Sequence, residues 1–248
     1  MLNHVLKIST VLCCAPCFAA APASALAQSH AYLYSGEGIY DELDYLCDST
    51  DGQTIFAVIK PTPGHASHTL SFDRIGFANA QNHWVKLGDA DGGAGQIIYP
   101  LNDHESGENR GHVHTINPGA LGDPADIALP TLSSITLDRE RTECRFDKDA
   151  VFYGVTDEHS YMILRGEDGG FILNTWRVKQ PDGEQEDFNF DTARRDDQGN
   201  QLYSFATGHT LMTFVVPPNT ENGGAKITYE HDSGGIIEEP MRAYIAAE

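Results

Sequence analysis

The chain has 248 residues and a formal net charge of −20 at pH 7, with 36 acidic side chains against 16 basic ones. A surface of this sign repels the phosphates of nucleic acids and the headgroups of anionic membranes, which excludes nucleic-acid binding. A cation or a basic protein is the kind of partner that it favours, and the alternative is a charge that serves only solubility.

The first 27 residues have the three parts of a secretory signal peptide. Lys7 supplies a positive charge, residues 8–21 form an uncharged apolar stretch, and Ala25-Leu26-Ala27 offers small residues for cleavage before Gln28. That stretch is too short to remain in a bilayer as a helix, and no later segment is apolar enough to cross one. The sequence therefore predicts a periplasmic or secreted protein without a transmembrane segment.

Short apolar runs bounded by Gly, Pro, Asn and Asp dominate the remainder of the chain. They are rich in β-branched and aromatic side chains, which indicates strands. In chain order the clearest runs are 54–59, 69–72, 161–164, 171–178, 211–216 and 225–229. A short segment at 74–81 is the best candidate for a helix. The pattern predicts an all-β fold, arranged as an antiparallel sandwich or barrel.

Several landmarks recur in the same order at separations of 91 to 100 residues, which favours a tandem duplication. Cys47 corresponds to Cys144, Trp84 to Trp176, and Gly111-His112 to Gly208-His209. The predicted division is a signal peptide over 1–27, a β domain over 28–138 and a similar β domain over 139–248. The two tryptophans would then be equivalent core residues. The alternative is that strands and turns give such matches in any β protein.

Cys47 and Cys144 are the two cysteines that remain once the signal peptide is removed. In an oxidising compartment, two cysteines most simply form one disulfide. Two buried thiols, or a bond between two molecules, are the alternatives.

Gly111-His112-Val113-His114 is the best candidate for a metal site. Residues two apart in a strand face the same side, so the imidazoles of His112 and His114 could reach one ion. His104, in a polar loop just before them, could supply a third ligand. The alternative is a solvated strand face, and the sequence predicts no cofactor.

The segment Tyr45-Leu46-Cys47-Asp48, followed by Gly52-Gln53 and Phe56-Ala57-Val58, resembles the opening of small periplasmic C-type lysozyme inhibitor domains. The resemblance covers about 15 residues. It implies a β-barrel with a disulfide from an early strand to a late cysteine, a position that Cys144 would fill. It also implies inhibition of a basic cell-wall hydrolase, which suits an acidic surface.

The chain contains no nucleophile elbow, phosphate loop or dinucleotide fingerprint. The sequence therefore favours an exported binding or envelope module over an enzyme, and it assigns no catalytic residue. The alternatives are an inhibitor of a basic hydrolase and a metal-binding protein or enzyme that uses His112 and His114. The sequence does not specify the ligand.

Overall fold

The computed structural model describes residues 29–61, 68–73, 81–93, 95–177, 188–190, 193–221 and 223–247. Antiparallel strands dominate this part of the chain, joined by tight turns, one single-turn α-helix and one 3-10 turn. The predicted all-β class is therefore confirmed. Of the segment predicted as a helix, 74–80 lies outside the described residues, and Gln81 begins a strand.

The described part of the chain forms twenty strands. They are β1 (Ser29–Gly36), β2 (Ile39–Asp48), β3 (Thr54–Ile59), β4 (His68–Asp73), β5 (Gln81–Leu87), β6 (Asp91–Gly92), β7 (Gln96–Asp103), β8 (Asn109–Ile116), β9 (Leu132–Leu137), β10 (Glu140–Glu143), β11 (Ala150–Val155), β12 (His159–Arg165), β13 (Phe171–Arg177), β14 (Phe188–Phe190), β15 (Ala193–Arg195), β16 (Gln201–Thr207), β17 (Thr210–Val216), β18 (Lys226–His231), β19 (Ile236–Pro240) and β20 (Ala243–Ala247). Between β8 and β9 lie helix α1 (Pro118–Leu121) and a 3-10 turn (Pro124–Asp126). The six predicted runs coincide with β3, β4, β12, β13, β17 and β18 to within a few residues at the ends.

The strands form two sheets. The larger one runs β10-β9-β8-β7-β5-β4-β3-β2-β1-β20-β11-β12-β13-β14, with β6 attached to β7, and the smaller one runs β15-β16-β17-β18-β19. Strand β20 pairs with β1 on one side and with β11 on the other. The late strand β20 therefore links the two halves of the larger sheet.

The half of the larger sheet from β2 to β10 curls until the chain after β10 meets the end of β2. Thr50 N donates to Glu143 O over 2.9 Å, and Arg145 N donates to Asp48 O over 2.8 Å. Beside them Cys47 and Cys144 form a disulfide with their Cα atoms 5.0 Å apart, so the predicted intramolecular pairing is confirmed. The curl encloses an apolar core that includes Phe56, Val85, Leu101, Val113 and Ile135.

Strand β11 lies at the centre of the remaining layers, and all six of its residues are buried. Phe152 packs towards the smaller sheet, where its ring lies 5.8 Å from that of Phe214. Tyr153 and Val155 pack towards the residues of β2 and β3. A strand covered on both faces reads as a continuous apolar run, as this one does.

The landmarks of the predicted duplication occupy different structural settings. Gly111-His112 lies within β8, whereas Gly208-His209 forms the turn between β16 and β17. Trp84, expected to be a core residue, is 49% exposed because β5 turns Val85 inward instead. The predicted boundary at 138/139 falls in the turn between the paired strands β9 and β10. The duplication and the division into two domains stay predictions.

Candidate functional site

A β-bulge in β2 builds the most distinctive site in the described part of the chain. Leu43 pairs with Ile59 and Tyr45 pairs with Val58, which leaves Asp44 as an extra residue in β2. Leu43 and Leu46, three residues apart, consequently join the same apolar cluster. Asp44 and Tyr45, which regular alternation would place on opposite faces, both line one cavity. Bulges redirect side chains in this way and are common beside functional sites.

This cavity, which we call the Asp44 cleft, has a volume of about 240 Å³. Asp44 and Tyr45 form one wall, Ile97 and Tyr99 of β7 form the second, and the chain between β8 and β9 forms the third with Ile127 and Leu129. The site lies at one end of the core enclosed by the curled half, against which Tyr45 and Tyr99 pack. Mouths of curled β structures are frequent places for ligands.

The third wall is held in place by backbone and side-chain hydrogen bonds at its ends. Ile116 N donates to Thr131 O over 2.9 Å, and the Thr131 hydroxyl donates back to Ile116 O. Within the connection, Asn117 caps α1 by accepting from Gly119 N over 3.1 Å. These bonds tie the two ends of the connection together beside the cleft that it lines.

The electrostatics of the cleft are set by one carboxylate and two aromatic rings. Among the described residues that line the cleft, Asp44 is the only one with a charged side chain. Burial raises the pKa of the Asp44 carboxyl, Lys60 lowers it to a smaller extent, and Glu42 adds to the increase. Burial, followed by the neighbouring Tyr99, raises the pKa of Tyr45 far above its ordinary value. The Tyr45 hydroxyl therefore stays protonated at every physiological pH.

Asp48, at the end of β2, is buried in a second polar cluster. Its carboxylate accepts hydrogen bonds from Arg145 Nε at 3.0 Å, from Ser160 Oγ at 2.6 Å and from the Tyr153 hydroxyl. The guanidinium of Arg145 also lies 4.7 Å from the ring centre of Trp176. The side chain of Asp48 is fully buried and that of Arg145 is 10% exposed, so this cluster joins elements of the core.

The structure places the predicted metal ligands on β8 and in the turn before it. His112 and His114 lie on the outward face of β8, while Gly111, Val113 and Thr115 are buried on the other. His104 is exposed in the turn between β7 and β8. His114 Nε2 lies 2.7 Å from Gln96 Oε1, and burial together with Arg141 lowers the pKa of His114.

All three histidines belong to the described residues, and no group of three or more His, Cys, Asp or Glu side chains there could hold a metal ion. The structure thus shows two imidazoles on one strand face, and metal binding stays a prediction. Within the described ranges, no helix is long and apolar enough to cross a membrane.

Sequence reasoning did not identify Asp44 or Tyr99 as site residues. Tyr45 was noted only as part of the lysozyme-inhibitor resemblance, at the end of β2. No local signal identifies Asp44, since its position depends on how β2 pairs with β3.

Comparisons with known proteins leave this site without a relative. No protein-family model matches the chain, and no curated protein matches it. A solved crystal structure of a eukaryotic initiation factor aligns with 86% of this chain and 73% of its own, at 7% sequence identity and a TM-score of 0.22. At that TM-score the alignment carries no argument about fold or function.

Proposed function

We propose that this chain is an exported binding module whose ligand site is the Asp44 cleft. The observation that carries the proposal is the bulge in β2, which directs Asp44 and Tyr45 together into a cavity faced by Tyr99. A concave, mainly apolar pocket with a few convergent polar groups is the usual form of a small-molecule site. At about 240 Å³, it is smaller than the range of about 300–1,000 Å³ typical of such pockets, so the ligand is small.

Export is supported by the predicted signal peptide and by the disulfide. The Cys47–Cys144 bond is of the kind that persists in oxidising compartments such as the periplasm and the extracellular space. Binding also suits the protonated Tyr45, which offers a hydrogen-bond donor and an aromatic surface to a ligand in the cleft.

The proposal is tested by filling the cleft. A neutral fluorescent probe such as N-phenyl-1-naphthylamine should bind the purified protein with enhanced emission. The substitution Ile97→Trp places a large ring in the cleft and should abolish that binding. Ile98→Trp is the matched control, because Ile98 is also half-buried but faces the other side of β7. Equal loss, or no loss, in the two variants would contradict the proposal.

A second candidate function is inhibition of a basic cell-wall hydrolase. It is favoured by the Cys47–Cys144 pairing, which is the bond that the resemblance to lysozyme inhibitor domains implied. The measurement is the rate of cell-wall lysis by lysozyme, without this protein and with increasing amounts of it. If the rate is unchanged at about a tenfold molar excess over lysozyme, this candidate is removed.

A further inference from the structure

The Asp44 carboxylate lies in the cleft without an ionic partner among the described residues. No hydrogen bond or ion pair to Asp44 is formed there, and Lys60, whose charge acts on Asp44, forms its ion pair with Glu42 at 3.5 Å. Lys60 and Glu42 are both well exposed, so this pair lies on the solvent side of β2 and β3. Burial outweighs the attraction of Lys60, so the half-buried Asp44 carboxylate loses more by dehydration than it gains from this counter-charge.

The two tyrosines supply a second feature that selects the same kind of ligand. The rings of Tyr45 and Tyr99 lie 5.8 Å apart between centroids and are tilted by 47°. The two rings therefore pack against each other, and both also line the cleft beside Asp44. The face of an aromatic ring attracts a cation that lies within about 6 Å of the ring centre. The remaining lining is mainly apolar, with Ile97, Ile127 and Leu129 suited to cover hydrocarbon, and it includes the uncharged side chains of Ser29, Thr115 and Thr131.

Resting on the proposed function, we infer that the ligand of the Asp44 cleft is a small organic ammonium ion with an apolar body. Its charged group lies against the Asp44 carboxylate and the faces of Tyr45 and Tyr99, and its hydrocarbon lies against the isoleucine and leucine walls. An anionic ligand would be repelled by Asp44 and by the chain's net charge of −20. A neutral ligand would leave the carboxylate as poorly solvated as before.

The test compares three ligands of matched size, namely phenethylamine, 2-phenylethanol and phenylacetate, by calorimetric titration at pH 7. The salt concentration is held at about 0.15 M, which screens the general field of the acidic surface beyond roughly 8 Å. The amine should bind about tenfold more tightly than the alcohol, the effect of one hydrogen bond to a charged group. Phenylacetate should bind most weakly.

Substitutions then show which residues cause the preference for the amine over the alcohol. Asp44→Asn should remove this preference and leave the affinity for the alcohol unchanged. Asp41→Asn is the matched control on the same strand, because it removes the same charge from a residue outside the cleft. Tyr99→Leu keeps the wall apolar and should weaken the amine more than the alcohol.

The outcomes separate the inference from the function on which it rests. If amine and alcohol bind equally, or Asp44→Asn changes neither, the cationic ligand class is wrong while the cleft remains a binding site. If no member of the series binds and the naphthylamine probe fails as well, the proposed function itself fails.

The ammonium group has two possible sources, a free amine or a lysine side chain of a partner protein. Competition separates them, with lysozyme as the basic protein. Displacement of phenethylamine by lysozyme at micromolar concentration would assign the cleft to a protein lysine and overturn the small-ligand inference. Retention of the amine would support it.

Discussion

Arg145 donates a hydrogen bond from Nε to the Asp48 carboxylate over 3.0 Å, although 97 residues separate the two in the chain. The pair is buried, and its position beside the Cys47–Cys144 bond fixes the end of β2 against the chain that follows β10. Removing one partner of a buried ion pair leaves the other charge uncompensated.

We therefore expect Arg145→Leu to destabilise the protein by about 3 kcal/mol, the lower end of the range for a broken buried pair. The lower end applies because Tyr153 and Ser160 still donate to Asp48 in the variant. Urea denaturation followed by circular dichroism gives the free energy of unfolding. Arg141→Leu is the control, since its pair with Glu143 is exposed and should contribute no more than about 1 kcal/mol.

The disulfide provides a second prediction about stability. Replacing Cys47 and Cys144 together by alanine should lower the free energy of unfolding by about 4–5 kcal/mol, because the bond closes a loop of nearly a hundred residues in the unfolded chain. The same loss should follow when the wild-type protein is unfolded in a strong reductant. Peptide mapping of the unreduced protein that finds two free thiols would contradict the pairing.

The cleft carboxylate predicts a dependence of stability on pH that is opposite to that of a paired acid. Burial raises the pKa of Asp44, whose neighbours are Glu42, Lys60, Tyr45 and Tyr99. The folded state therefore favours the protonated carboxyl. At a pH below the pKa that Asp44 has in the unfolded chain, the residue costs no stability. The cost develops as the pH rises through the folded pKa and persists at neutral pH.

Asp44→Asn should accordingly raise the melting temperature of the ligand-free protein at pH 7 and leave it unchanged at pH 3. Thermal melts of the wild-type protein and the variant at the two pH values measure the difference. Asp41→Asn should show no such gain at pH 7. A lower melting temperature for Asp44→Asn at pH 7 would mean that the carboxylate has a stabilising partner, which the ligand hypothesis does not allow.

Position 111 in β8 should accept only glycine. A Cβ at this position would collide with the backbone carbonyl of Thr136 on β9, so Gly111→Ala should cost about 2–3 kcal/mol by overpacking. Gly95→Ala, where nothing lies within 4 Å of the added atom, should cost much less. Denaturation midpoints of the two variants provide the comparison, and equal midpoints would show that β8 and β9 can separate freely.

The strands were predictable where local pattern decides the structure. The run 54–59 became β3 without a shift, because a short continuous apolar run rich in β-branched and aromatic residues is typical of a strand that is buried on both faces. Gly234 and Gly235 lie in the turn between β18 and β19, which fits the expectation that glycine bounds the strands.

The site could not be predicted, because it depends on pairings between distant residues. The extra residue at Asp44 exists only in the register of β2 against β3, and simple alternation would separate Asp44 from Tyr45. The burial of Asp48 similarly depends on Arg145. For Trp84 the expectation was wrong, since hydrophobicity alone does not tell which face of β5 turns inward.

Strand β20 has a consequence for how the molecule is made. Since residues 243–247 fill the gap between β1 and β11, the larger sheet stays in two pieces until they have been synthesised. A chain cut before residue 243 would therefore leave one edge of β1 and one edge of β11 without a partner. Unpaired strand edges bind the strands of other chains, so loss of β20 should promote aggregation.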